Sequence, residues 1–205
     1  MSTNKRGLFI TFEGGEGTGK TTQSKMLYEY LKSIDIPVIW TREIGGTPIG
    51  EAIREIFFKY DAAPLTELLL SNAARNEHII NVIIPNIRSG VWVICDRFID
   101  TNSVYRSLSG DFMQEDVYFW HANMFGEIWP DMTFLLDIDA SISLKRVTDR
   151  GGQKSKYDVA SLDFHESIRQ GFLYSAALYP NRFRVIDANQ DQKIIHQQII
   201  SNIDF

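Results

Sequence analysis

Short apolar runs recur along the chain at 8–12, 36–41, 91–95, 132–136 and 183–187. Each is too short for a helix of ordinary length and is rich in β-branched and aromatic residues, so each predicts a strand. Val91-Trp92-Val93-Ile94-Cys95 has no polar interruption, which marks a central parallel strand covered on both faces. Between the runs the apolar spacing changes to the helical period. Met26, Leu27, Tyr30 and Leu31 mark one helix, and Thr47 followed by Pro48 marks the start of another, through Glu51, Ala52, Ile53, Arg54 and Ile56. A longer pattern runs over 66–88, where Pro85 must kink or split it. Its apolar face is wider than one seam requires, which predicts burial against the sheet and against another subunit. Further helices are predicted over 114–128, from 141, over 164–178 and over 194–203. Strand and helix alternating in this way predict an α/β protein, with a five-stranded parallel sheet and helices on both faces.

The turn after the first run is Gly14-Gly15-Glu16-Gly17-Thr18-Gly19-Lys20-Thr21, followed by Thr22, and it fits G-x-x-x-x-G-K-[ST] between a strand and a helix. Glycines let successive backbone N–H groups point at one phosphate, and the positive helix end adds to the attraction. This is the P-loop pattern of nucleoside triphosphate binding. Lys20 supplies a point charge and the Thr21 hydroxyl a ligand for Mg²⁺. Glu16 is an acid within an anion-binding turn. It either accepts a hydrogen bond from a hydroxyl, such as a sugar hydroxyl of a second substrate, or caps the helix start in water.

The remaining candidate chemistry lies where strands end, the place at which an open α/β sheet binds ligands. Asp96 and Arg97 close the central run. In the presence of a P-loop, Asp96 suits Mg²⁺ held directly or through water, and Arg97 suits a bidentate phosphate clamp. The polar segment that follows carries Asn102, whose donor and acceptor match a nucleobase edge, and Tyr105 and Arg106 beyond it. Arg54 either faces the turn at 42–48 or is solvated, and Arg75, preceded by Ala73 and Ala74, either turns into a pocket or is exposed. The stretch Arg150-Gly151-Gly152-Gln153-Lys154-Ser155-Lys156 has no periodicity and carries cations of the kind phosphoryl transfer needs, so residues 150–158 are expected to form a lid.

Length and composition narrow the class. A chain of 205 residues with 44% hydrophobic content is expected to form a single domain over 1–205. A net charge of −5 argues against a nucleic-acid polymer as the main partner. Neither a leader nor a membrane-spanning run is evident. The one cysteine, Cys95, excludes an internal disulfide and reads as a buried apolar residue. A cytoplasmic enzyme is expected.

With these residues in view, the chain resembles the thymidylate kinases of the bacterial type from first strand to last helix. The resemblance rests on Phe12-Glu13-Gly14-Gly15-Glu16-Gly17-Thr18-Gly19-Lys20-Thr21-Thr22, Thr41-Arg42-Glu43-Ile44-Gly45-Gly46-Thr47, Ala73-Ala74-Arg75, Asp96-Arg97-Phe98 with Asn102 and Tyr105, and Ile186-Asp187-Ala188. It implies transfer of the γ-phosphoryl of ATP to dTMP with Mg²⁺. The P-loop residues 14–22 would hold ATP and Arg146 would lie against its adenine. Glu16 would accept from the dTMP 3′-hydroxyl, Arg54 and Arg97 would hold the dTMP phosphate, and Arg75 and Asn102 would read the thymine edge. Tyr105 would crowd the sugar 2′ position and Arg106 would join the acceptor site. A homodimer through the long helices is also implied.

Three departures from the family pattern are visible. Gly17 stands where another branch has an arginine, and the lid position before Tyr157-Asp158 is Lys156, which leaves Arg150, Lys154 and Lys156 as candidates for the catalytic lid cation. Glu-Pro-Gly-Gly becomes Glu43-Ile44-Gly45-Gly46. Ser71 replaces a phenylalanine that stacks on thymine, which implies weaker dTMP binding or an aromatic recruited from another element. Two alternatives remain at this point. One is a nucleoside monophosphate kinase with another or broader pyrimidine acceptor, and the other is a P-loop switch or partitioning ATPase.

Overall fold

In the computed structural model, which describes residues 6–150, 157 and 160–204, the five apolar runs pair as one parallel sheet. Its strands are β1 (Phe9–Glu13), β2 (Val38–Arg42), β3 (Trp92–Asp96), β4 (Met132–Asp137) and β5 (Phe183–Asp187), in the order β2-β3-β1-β4-β5. β1, β2, β3 and β4 run one residue further than the apolar pattern indicated, so Glu13, Arg42, Asp96 and Asp137 are strand residues. The backbone ladder continues until the chain turns, whatever the side-chain polarity. The register sets Asp96 beside both Phe12 and Arg42, gathering charged side chains at the carboxyl edge.

The helices are α1 (Lys20–Ser33), α2 (Pro48–Lys59), α3 (Pro64–His78), α4 (Ile84–Arg88), α5 (Ile99–Ser107), α6 (Gln114–Phe125), α7 (Ala140–Arg150), α8 (Leu162–Leu178) and α9 (Gln192–Ser201). The Thr47 hydroxyl caps α2 by accepting from Gly50 N at 3.0 Å, and Pro48 follows at the first position, as its sequence predicts. The pattern over 66–88 divides, as Pro85 requires. A single π-helical turn, Ile79–Ile83, lies between α3 and α4. The expected helix over 114–128 stops earlier, at Phe125, because Gly126 takes a positive φ of 62°.

Alternation along the strands sends side chains to the two faces of the sheet. Ile10, Phe12, Ile94, Phe134 and Leu136 pack with Leu27 and Leu31 of α1 and Ile195 and Ile199 of α9. Phe9, Val93 and Cys95 pack on the opposite face with Leu68, Ile79, Ile83, Ile87 and the aromatic face of α6. A buried polar network ties α5 and α6 to the sheet. Arg182 reaches both oxygens of Asp100 at 2.6 and 2.8 Å and Thr133 Oγ1 at 2.7 Å, and Tyr118 Oη donates to Asp100 at 2.7 Å. Buried charges persist only when paired in this way. The network anchors the helix that carries Asn102 and Tyr105.

Candidate active site

The glycine-rich turn leaves β1 at Glu13 and enters α1 at Lys20. Gly14 and Gly17 have φ of 136° and 75°, and a Cβ at Gly17 would stand 2.4 Å from Ser143 O. Only glycine permits this path. No side chain caps α1, so its first N–H groups face the turn without an internal acceptor. Lys20 Nζ bends back onto Gly15 O, which also accepts from Thr18 Oγ1 at 3.1 Å. Burial, followed by the charge of Arg97, lowers the Lys20 pKa to about 8 against the opposing pull of Glu16 and Asp96. An anion in the turn would raise it again and favour the charged form.

Asp96 ends β3 directly across from this turn. Its Oδ2 accepts from the Thr21 hydroxyl, while Oδ1 is buried and has no partner among the described residues. Thr21 and Asp96 therefore form the pair that the sequence assigns to Mg²⁺. No cluster of three or more histidine, cysteine or acidic side chains suited to a metal exists among the described residues. One hydroxyl and one carboxylate with an unsatisfied oxygen fit Mg²⁺, which keeps most of its shell as water and phosphate oxygen.

Arg97 sits at the hinge between β3 and α5 with φ of 70°. Its Nη2 donates to Glu16 Oε2 at 2.6 Å, and its Nη1 to Thr101 Oγ1 at 3.2 Å and Gly14 O at 3.3 Å. Tyr105 Oη donates to the other Glu16 oxygen at 2.7 Å. Burial alone would raise the Glu16 pKa, but Arg97 and Lys20 outweigh it and hold the group at about 2. The two residues expected to touch the acceptor's sugar and phosphate thus hold each other in this state. Glu16 is neither solvated nor a helix cap, and the readings that left it so are set aside.

A cavity of about 610 Å³ opens beside this pair, a size that suits a small-molecule ligand. Glu16, Arg54, Arg75, Arg97, Asn102, Tyr105 and Arg106 all line it. Arg54 donates to Ile44 O at 2.8 Å and lies 4.8 Å over the Phe58 ring. Arg75 is 2% exposed, so it turns inward. Its Nε donates to Glu43 at 2.9 Å and its Nη1 to Asn72 at 3.1 Å, and its guanidinium lies 5.1 Å over the Phe98 ring. Burial works against the Glu43 charge, yet Arg75 and His78 lower its pKa. Asn102 is buried with Nδ2 lacking a partner among the described residues. Arg106 lines the cavity, but its guanidinium is bound to Glu67 and donates to Tyr157 Oη at 3.1 Å.

Other predicted residues lie elsewhere. Arg146 donates to Ala188 O at 3.0 Å, away from the cavity lining. Ser71 Oγ turns onto Leu68 O, and Phe57, Phe58 and Phe98 supply aromatic surface to the same cavity wall. The side chain of Arg150, and Lys154 and Lys156, lie outside the described residues, as does the predicted lid apart from Tyr157. The Tyr157 ring meets Tyr105 edge-on at 4.8 Å. A broader, shallow groove between α1 and α9 shares only Thr21 and Lys25 with this cavity and lacks its arginines.

Glu13, Glu43 and Thr101 are structural partners to which the motif reading gave no role, although Glu13 and Glu43 stand inside the motifs quoted for the resemblance. Glu13 ends β1, Glu43 follows β2 directly, and Thr101 lies in the first turn of α5.

Comparison with known proteins shows the family. The family model described as thymidylate kinase matches residues 12–199. Thymidylate kinase from Rickettsia bellii (strain RML369-C) is 46% identical over 202 residues, covering 97% of each chain. That of Rickettsia typhi is 43% identical over 189 residues, covering 92% of this chain and 93% of its own. The crystal structure of thymidylate kinase from Ehrlichia chaffeensis superposes with a TM-score of 0.80 at 31% identity, covering 97% of this chain and all of that one. With a glycine turn built for phosphate facing an arginine-lined cavity, and with similarity extending along nearly its whole length, the chain belongs to the thymidylate kinase family.

Proposed function

We propose that the enzyme transfers the γ-phosphoryl group of ATP to dTMP, yielding ADP and dTDP. The observation that carries this reading is the shared wall between the phosphate-binding turn and the cavity lined by Arg54, Arg75, Arg97, Asn102 and Tyr105. ATP phosphates occupy the turn, and the monophosphate enters the cavity base-first. Arg54 and Arg97 hold its phosphate, Glu16 accepts from its 3′-hydroxyl, and Arg75 and the unpaired Asn102 amide meet the base edge. Tyr105 closes on the sugar, Arg106 completes the wall, and Arg146 lies on the adenine side.

A phosphate oxygen of dTMP attacks the γ-phosphorus in line. The new P–O bond forms as the bond to the β–γ bridging oxygen breaks, and ADP leaves with that electron pair. The acceptor is already ionised, so no general base is required. What the protein must supply is position and positive charge. Lys20 leaves Gly15 O to follow the phosphoryl group, and Arg97 exchanges Glu16 for the acceptor phosphate. Mg²⁺ held by Thr21 and Asp96 would neutralise charge on the β- and γ-phosphate oxygens. Arg150 and Lys156 are the lid cations proposed for the transferring group, with residues 150–158 as a closing segment of a single kinase domain.

Leu65, Leu69 and Ile80 are about half exposed along one side of α3 and the π turn, which supports pairing with a second copy through the long helices. No helix among the described residues is long and apolar enough to cross a membrane. We place the enzyme in the cytoplasm as a homodimer, with no nucleic-acid polymer as partner.

Acceptor-dependent release of ADP tests the reaction. With dTMP, dUMP, UMP, CMP and AMP offered separately, dTMP should give the highest kcat/KM. Ser71 makes the discrimination against dUMP the narrowest of the set, because the thymine methyl has no large stacking partner at that position. Equal rates with UMP would mean a broader pyrimidine kinase, and ADP release indifferent to every acceptor would mean a switch ATPase.

A further inference from the structure

Glu13 is fully buried where β1 meets the glycine turn, and no nucleotide-contacting role above uses it. Both of its carboxylate oxygens are spent on the segment that carries Arg97. Phe98 N donates to Oε1 at 2.7 Å, and Thr101 Oγ1 donates to Oε2 at 2.5 Å. Thr101 Oγ1 in turn accepts from Arg97 Nη1 at 3.2 Å. A continuous chain of hydrogen bonds therefore runs from the Glu13 carboxylate through a hydroxyl to the guanidinium. The backbone on either side is pinned as well, since Arg97 N donates to Phe12 O at 3.0 Å and the Cys95 thiol donates to Arg97 O at 3.0 Å.

Restraint of this kind is needed there. Arg97 has φ of 70°, a left-handed conformation that a residue with a Cβ adopts only when its surroundings impose it. Without an acceptor for Phe98 N, the hinge would relax to an ordinary φ and swing the guanidinium away from the turn. Burial and the neighbouring Asp100 charge raise the Glu13 pKa to about 7 against the pull of Thr101, Arg97 and Phe98 N, so a costly buried acid is kept where an apolar residue would pack.

We propose that Glu13 is a positioning residue for phosphoryl transfer, one that holds the β3–α5 hinge and its bridging Thr101 so that Arg97 faces the acceptor phosphate. This rests on the reading of Arg97 as the acceptor clamp.

The test is calorimetric titration of the full-length enzyme with dTMP and with ATP separately. Glu13→Gln should weaken dTMP by about tenfold, the size expected for loss of a hydrogen bond to a charged group, with ATP affinity within about twofold. Thr101→Val, which removes the bridge and leaves the carboxylate on Phe98 N, should shift dTMP in the same direction and keeps the test open should Glu13→Gln not fold. In an Arg97→Ala background, Glu13→Gln should cause no further loss of dTMP affinity. Unchanged dTMP affinity in both single variants, or losses that multiply in the Arg97→Ala background, would overturn the proposal while leaving the clamp intact. If Arg97→Ala alone leaves dTMP affinity unchanged, the clamp reading fails and the positioning role falls with it.

Discussion

Replacing Arg97 with alanine should lower kcat by at least about 100-fold, the scale on which removing one preorganised charge stabiliser acts in group-transfer enzymes. ATP should still bind, because Arg97 meets the turn at Gly14 O and Glu16, and its loss leaves the turn's N–H groups, the uncapped start of α1 and Lys20 in place. Arg97 touches Glu16, Gly14 and Thr101 together, so its loss removes positive charge at the point where two phosphates must approach. Arg97→Lys should fall between, since an ammonium restores the charge without the bidentate fork. Steady-state kinetics with separate ATP and dTMP titrations would measure both. Turnover within about tenfold of the parent enzyme would be too small a loss for a preorganised charge stabiliser.

Arg75→Ala should be the most damaging change to stability in the acceptor wall. The guanidinium and its partner Glu43 are 2% and 5% exposed, and removal of the arginine leaves a buried carboxylate with His78 as its one ionic partner among the described residues. Breaking a buried pair from one side costs about 3–5 kcal/mol. For a chain of this size that corresponds to a fall in Tm of about 6–20 °C, readable by calorimetry. Removing both charges should recover much of the loss, because neither is then left uncompensated. An Arg75→Met, Glu43→Gln double variant should therefore melt near the parent enzyme and still bind dTMP poorly. A single variant that melts within about 2 °C of the parent would contradict the buried-pair description.

How far the residues disclosed the protein can be seen from these two arginines. The strand count, the glycine turn and the carboxyl-edge location of Asp96 and Arg97 follow from local patterns, because apolar runs and glycine spacing act within a few residues of themselves. That Arg75, following two alanines, turns inward was one of two open readings, and burial decides it. Its partner was invisible, since Glu43 lies 32 residues away and meets it only after β2 and α3 have packed. Glu16 and Arg97 are 81 residues apart, and Arg106 and Glu67 are 39 apart. Such pairs are made by the sheet order and leave no periodic trace. Arg106 shows the consequence: an arginine following Asn102 and Tyr105 reads as a ligand contact, yet its guanidinium is committed to Glu67. Pro85 announced a break in its helix but not the form of that break, since a missing N–H tells which bond is lost and leaves the widening to packing.

The exchange of partners at Arg97 is the step on which the proposed reaction turns. A crystal structure of the enzyme with adenosine and thymidine joined through a polyphosphate bridge would display it directly, both nucleosides being held at once. The expected result is Arg97 released from Glu16 Oε2 and bonded to the phosphate nearest the thymidine, with Lys20 released from Gly15 O onto the phosphates. Arg97 still closed on Glu16, with the thymidine-side phosphate held by other residues, would contradict it.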